Sequence, residues 1–227
     1  MGAKTAFVFD LDGTLIDSVY QHVLAGQEAL EQFGIRLSAW RIHRRVGMSG
    51  GLFVAALRRE IGLPVSPEDA VRLQQLHEEG YLRRIGQVRA LPGARELLAA
   101  LSRDGVPWAI ATSARRPSAA KGWEVLGVGE GATLITREEV EHAKPDPDLF
   151  IAAAQRLGIA IAFCVVVGDS VWDLLAARRA GALGVGLLSG GYGEDELVRA
   201  GAYRVYADPA DLLEHLDEVG VRQALDA

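Results

Sequence analysis

The stretch Thr5-Ala6-Phe7-Val8-Phe9-Asp10-Leu11-Asp12-Gly13-Thr14-Leu15 changes character at one point: a run of apolar or β-branched residues stops at an acid, and a second acid and a glycine follow at once. An apolar run this short, with no alternation, reads as a strand buried on both faces of a parallel sheet and opening into a turn. Residues 107–111 ahead of Thr112 and 163–167 ahead of Gly168-Asp169 repeat the pattern, and 132–135, 182–187 and 203–206 are weaker strand candidates. Helical patterns lie between them at 95–103, 147–157 and 171–180, the first of them after a Pro92-Gly93 start signal. Strand alternating with helix predicts an α/β fold: a Rossmann-like parallel sheet with helices on both faces and ligands at the carboxyl edge of the strands.

One gap breaks this rhythm. Between Asp10 and Pro107 the chain runs for roughly a hundred residues without a convincing strand, far beyond the usual crossover between parallel strands. Residues 18–33, 39–45, 52–61 and 67–85 are amphipathic and helical in pattern, which predicts an inserted α-helical domain after the first strand. The expected division is an α/β core of residues 1–16 and 91–227 and a helical insertion of residues 17–90, with hinges at the two crossings.

Composition sets the outer limits. The chain has 227 residues, 49% of them apolar, a formal net charge of −6 and one cysteine. A chain of this length buries roughly 70–75% of the surface exposed when unfolded, so no disulfide or structural metal is needed. Cys164 lies in an apolar run and reads as a small buried hydrophobe. No apolar stretch reaches the 18 or so residues of a membrane span, and no basic block suits a nucleic-acid backbone. The first residues lack the apolar region of a signal peptide, so a cytoplasmic location is expected.

Four polar segments carry chemistry. Asp10 and Asp12, one residue apart at a strand end with Gly13 after them, can both face a small pocket; a calcium loop is excluded because Leu15 and Ile16 stand where oxygen ligands belong. Thr112-Ser113 ends a strand with hydroxyls and backbone N–H groups suited to phosphoryl oxygens, or to capping a helix. Lys144, before Pro145, offers a cation. Gly168-Asp169-Ser170 supplies a third acid, with Asp173 one helical turn on. Converging on one sheet edge, acids with oxygen ligands alone favour Mg²⁺, and a cation beside them suits a phosphate.

These four segments resemble the four motifs of the haloacid dehalogenase superfamily of phosphohydrolases, over nearly the whole chain. The resemblance implies that Asp10 is a nucleophile forming an aspartyl-phosphate and that Asp12 is the acid and then the base. It further implies that Thr112 and the Ser113 backbone hold the phosphoryl group and that Lys144 neutralises it while orienting Asp10. Mg²⁺ would take a carboxylate oxygen of Asp10, the backbone carbonyl of Asp12 and the Asp169 carboxylate, with Asp173 as an orienting acid behind them. The dehalogenase branch lacks the second Asp, so Asp12 argues for phosphate chemistry.

The insertion matches the family's helical cap, where substrate choice resides. Arg41, His43, Arg44 and Arg45 followed by Gly47-Met48-Ser49-Gly50-Gly51 are the candidate segment; Arg45, Gly47 and Ser49 are singled out there, with Arg115 after the second motif. His22 resembles the hinge-proximal His of β-phosphoglucomutase, although a surface helical His is the simpler reading. That mutase carries an Arg where this chain has Gly50, which favours a phosphatase acting on a small phosphorylated metabolite; phosphoglycolate phosphatases are the nearest group by pattern. A sugar phosphomutase and a phospho-accepting receiver module are the rival readings, and both monomer and homodimer stay open. Core packing is the expected role of all four Trp residues.

Overall fold

The computed structural model describes residues 5–48, 50–61, 66–129 and 131–220. Six strands form one wholly parallel sheet: β1 (Ala6–Phe9), β4 (Trp108–Ala111), β5 (Thr133–Ile135), β6 (Cys164–Gly168), β7 (Leu183–Leu187) and β8 (Ala202–Tyr206), in the order β5-β4-β1-β6-β7-β8. All six match the strands read from the sequence to within a residue or so at each end. No helix among the described residues is long and apolar enough to cross a membrane.

Alternation along the central strands explains the two layers of helices. Phe7, Phe9, Ile110, Val165 and Val167 point to one face, where they meet Leu97, Leu98 and Leu101 of α5 (Ala94–Arg103) and Leu212 of α10 (Pro209–Glu214). Ala6, Val8, Ala109, Ala111, Cys164 and Val166 point to the other. That face is lined by small residues, so α7 (Asp148–Leu157) and α8 (Val171–Ala180) can lie close against it through Phe150, Ala153, Ala176 and Ala177. Cys164 is buried there as a small hydrophobe.

Between β1 and α5 lie, among the described residues, two very short strands, β2 (Ile16–Asp17) and β3 (Arg89–Ala90), and four α-helices: α1 (Val19–Glu31), α2 (Ala39–His43), α3 (Gly50–Ile61) and α4 (Pro67–Arg84). The two strands pair antiparallel where the chain departs and returns, Ile16 opposite Ala90 and Asp17 opposite Arg89. The helices bury an apolar cluster of their own, with Val23, Leu30, Ile42, Leu57, Leu73 and Leu76 at its centre. Helix α4 starts sharply because Ser66 and Asp69 cap each other: Asp69 N–H donates to Ser66 Oγ at 3.0 Å and Ser66 N–H to Asp69 Oδ2 at 3.1 Å, with Pro67 at the first helical position.

One expectation fails. Trp40 is not core; it is 62% exposed, with the Arg41 guanidinium 5.2 Å from its ring centroid.

Candidate active site

Register brings the motif residues together. Phe9 pairs with Ile110 on one side and Val167 on the other, so the residues that follow all emerge at the same edge. The turn after β1 is closed by Leu15 N–H to Leu11 O at 2.9 Å and Gly13 N–H to Ile16 O at 2.8 Å. Gly13 has φ +85°, and a Cβ there would lie 2.5 Å from Asp169 Oδ2, so both backbone shape and neighbour demand glycine.

Four buried charges meet at this edge: Asp10, Asp169, Asp173 and Lys144. The Lys144 ammonium contacts Asp10 Oδ1 and lies 2.8 Å from Asp173 Oδ1, with the Phe150 ring beneath it, 5.1 Å to the centroid. Asp173 also anchors the start of α8, its Oδ2 accepting from Ser170 Oγ at 2.5 Å and Ser170 N–H at 3.1 Å. Asp169 Oδ1 accepts from the Thr14 hydroxyl at 3.0 Å. Three carboxylates against one ammonium leave a net formal charge of −2.

The electrostatics follow. Burial, with the charges of Asp173 and Asp12 adding to it, pushes Asp10 up to about 7 against the opposing pull of Lys144. Burial and the charges of Asp173 and Asp10 also raise Asp169. Burial disfavours the Lys144 ammonium, but Asp10 and Asp173 outweigh it and hold the group above its ordinary value.

A divalent cation fits these residues. One oxygen from each of Asp10, Asp169 and Asp173 lies within 4.8 Å of the others, the donors are all hard oxygens, and the charge to be offset is two. The Asp169 carboxylate is held in a cradle of two glycines: a Cβ on Gly190 would lie 1.8 Å from its Oδ2, and one on Gly13 2.5 Å. Gly190→Ala is therefore expected to displace Asp169, lowering turnover on the order of ten-fold and weakening the binding of a divalent cation at this site. Gly86, with nothing within 4 Å of its Cβ position, is the control, and Gly86→Ala is expected to leave both unchanged.

Asp12 faces the other way, toward the helical insertion. Its Oδ1 accepts from Ser18 Oγ at 2.6 Å, lies 3.1 Å from His22 Nε2 and is approached by Tyr81 OH at 3.5 Å. Burial works to raise this carboxyl, but the His22 charge and the hydrogen bonds from His22 and Ser18 win and hold it below the usual range. His22 is thus no surface residue of a helix; it is buried, stacked on Tyr81 with ring centroids 3.9 Å apart and planes within 5°.

The remaining candidates are distributed unevenly. Thr112 is buried at the end of β4, its Oγ1 accepting from Ala114 N–H at 3.0 Å. Ser113 Oγ donates to the Gly47 carbonyl at 3.0 Å, and a Cβ on Gly47 would lie 3.1 Å from Ser170 Oγ, so this loop sits over two strand ends at once. His43 Nε2 is 2.7 Å from Gly190 O, while Trp172 Nε1–H and Tyr192 OH both donate to Arg44 O, at 3.2 and 3.0 Å. Arg45 lines a cavity of about 710 Å³ with Trp40, Arg41, Arg44 and Trp172, and none of the four carboxylates borders it. Arg115 is exposed and pairs with Glu138 at 3.3 Å. Ser49 lies outside the described residues.

Sequence reasoning passed over Thr14, Ser18, His77 and Tyr81. Of these, His77 and Tyr81 stand four apart on α4, hence on one face of the helix, a spacing that marks a shared surface but not its partner.

A parallel sheet thus collects buried acids and one buried lysine at its carboxyl edge, with a helical insertion reaching one of the acids, in an acidic centre that could hold a cation. The chain belongs to the haloacid dehalogenase-like hydrolase family, whose family model matches residues 4–181. It is similar to hexitol phosphatase A of Escherichia coli K12, 32% identical over 186 residues that cover 77% of this chain and 79% of the relative. Phosphoglycolate phosphatase of Neisseria meningitidis is 33% identical over 203 residues, covering 85% of this chain and 83% of that protein. Among solved structures, a hydrolase from Pseudomonas syringae superposes with a TM-score of 0.94 at 52% identity, covering 96% of this chain and all of that one. The chain is a phosphatase of this family, a phosphoric monoester hydrolase.

Proposed function

We propose that the chain is a Mg²⁺-dependent phosphatase that hydrolyses a small phosphorylated metabolite, of the phosphoglycolate or sugar-phosphate kind, through a phosphoenzyme on Asp10. The observation that carries this reading is the buried pair of Lys144 with Asp10: the ammonium holds Oδ1, which leaves Oδ2 as the attacking atom. Oδ2 attacks phosphorus, and the bond to the leaving oxygen breaks as Asp12, protonated once the anionic substrate lies beside it, passes that oxygen its proton. Water then attacks the aspartyl-phosphate while Asp12 takes its proton, releasing inorganic phosphate and restoring Asp10. The Thr112 hydroxyl and the Ser113 N–H hold the phosphoryl oxygens, and Lys144 offsets their charge, kept in place by Asp173. Mg²⁺, held by the Asp10 and Asp169 carboxylates and the Asp12 backbone carbonyl, supplies charge stabilisation to the phosphoryl group when bound.

In this reading residues 17–90 are a cap domain over a core of 1–16 and 91–227. Their separate apolar cluster and the β2–β3 pairing at the crossing support that division. His22, Arg45, Gly47, Ser49 and Arg115 are the residues proposed to influence substrate choice, with the Gly47 loop best placed by its contact to Ser113. Net release of phosphate is favoured over a mutase because Gly50 packs against the Gln74 amide, its Cβ position 2.8 Å from Nε2, and offers no cation for a second phosphate.

A phosphate-release screen over phosphoglycolate, hexitol phosphates, hexose 1-phosphates and nucleotides tests this. Release is expected with Mg²⁺ and is expected to fall at least about 100-fold with chelator. Activity indifferent to chelation would overturn the metal, and conversion of a hexose 1-phosphate to its 6-phosphate without net release would make the enzyme a mutase.

A further inference from the structure

The Asp12 carboxylate is held on one side only. All three of its donors, Ser18, His22 and Tyr81, converge on Oδ1, and no partner among the described residues takes Oδ2, the oxygen left to handle the substrate's proton. Which way Oδ2 points therefore depends on how firmly Oδ1 is gripped. The grip of His22 is the least secure by itself: an imidazole turned over about its Cβ–Cγ bond presents carbon where nitrogen was.

Two neighbours restrain that ring. Tyr81 stacks on it and fixes its plane, but a stack permits the half-turn within the plane's own symmetry. The half-turn is resisted at the ring's other nitrogen, where His22 Nδ1 lies 3.3 Å from His77 Nε2, on α4 and 55 residues away. Burial, helped by the nearness of His22, pushes His77 down to about 3, so it stays neutral and carries one N–H and one lone pair. Donating its N–H to a bare His22 Nδ1 leaves the one proton of a neutral His22 on Nε2, directed at Asp12, whereas a neutral His22 with its proton on Nδ1 would face the carboxylate with a lone pair.

We infer that His77 is a positioning residue of the reaction: by donating to His22 Nδ1 it fixes the rotamer and tautomer that hold Asp12 in place to give a proton to the leaving oxygen and take one from water. This rests on the reading of Asp12 as acid and base. The grip also ties α4 to the loop after β1 through α1, so the acid is in position only when these elements are packed together.

The test compares His77→Leu with His77→Gln, whose amide donates or accepts by rotation as the imidazole does. Two esters are used: a hexitol phosphate, whose alkoxide leaving group needs a proton, and 4-nitrophenyl phosphate, whose leaving group does not. His77→Leu is expected to lower kcat for the hexitol ester on the order of ten-fold with KM within about two-fold, and to change the first-turnover release of 4-nitrophenolate, which precedes any proton uptake by Asp12, by less than about three-fold. His77→Gln is expected to recover most of the loss. Equal losses on both esters, a Gln variant as poor as the Leu variant, or a Leu variant with full hexitol-ester activity would each overturn the assignment. If His77→Leu does not fold, His77→Met is read in the same way. Asp12→Asn separates the two levels: hexitol-ester hydrolysis that survives it overturns the reading of Asp12, whereas an inactive Asp12→Asn beside an unaffected His77→Leu overturns only the role of His77.

Discussion

Asp10→Asn is expected to lower phosphate release at least about a thousand-fold while leaving the protein folded. An amide keeps the shape of the side chain and can still accept at one oxygen, but it is not a nucleophile toward phosphorus. Asp10 is buried beside Asp173 and Asp169, and its carboxyl is pushed up to about 7. A carboxyl whose folded pKa lies above its ordinary 3.8 is easier to ionise in the unfolded chain, so it weakens the metal-free fold as pH rises from about 4 to about 7. Removing that charge is expected to leave the metal-free variant at pH 7.5 at least as heat-stable as the parent. Circular dichroism melts with chelator present check the stability, and acid-quenched mass spectrometry checks for a phosphorylated parent and an unphosphorylated variant. Retained hydrolysis in the pure variant removes Asp10 as nucleophile; a large fall in melting temperature would mean that the carboxylate serves the fold as well.

Much of this arrangement was legible because the physics that makes a buried parallel strand is also what displays its last residue. Runs such as residues 6–9 and 164–167 are buried throughout, and the first polar residue after each must lie at the sheet's edge. What the strings could not supply was their relative register, which the pairing of Phe9 with Ile110 and Val167 provides. The helical insertion was legible by default, from the absence of strands, and for that reason β2 and β3 escaped notice: two residues carry no periodicity. His77 and Tyr81 escaped for a different reason. On α4 they occupy the same face as Leu73, so they read as part of an ordinary amphipathic stripe, and only packing of α4 on α1 brings them to His22. Trp40 was misread because aromatic area usually wins burial; here the ring is covered in part by Arg41 and borders the arginine-lined cavity.

Lys144→Met carries the second large effect, and it strikes stability and turnover together. The lysine has no exposed surface, and its ammonium is the only cation touching Asp10 and Asp173 among the described residues. Methionine fills nearly the same volume over Phe150, so packing is conserved and the change is one of charge. Removing one partner of a buried ion pair costs about 3–5 kcal/mol, because the carboxylates left behind have lost their compensation. For a chain of this size that is a fall in melting temperature of roughly 10 °C. Because its pKa is raised when folded, Lys144 contributes its full share at every pH below its ordinary 10.5 and would lose it only on passing through the still higher folded value. The pH dependence of the variant's deficit must therefore come from the acids: it is expected to shrink from pH 8 toward pH 5, as Asp10 and Asp169, both raised, take up protons and need no cation. Turnover is expected to fall on the order of 10²–10⁴-fold at any of these values, since the phosphoryl charge and Asp10 Oδ1 lose the same group. Melting curves across that range and single-turnover phosphate release separate the two losses. Lys144→Arg sharpens the comparison: it keeps the charge but must fit a planar guanidinium into a fully buried slot, so its deficit should not shrink with falling pH.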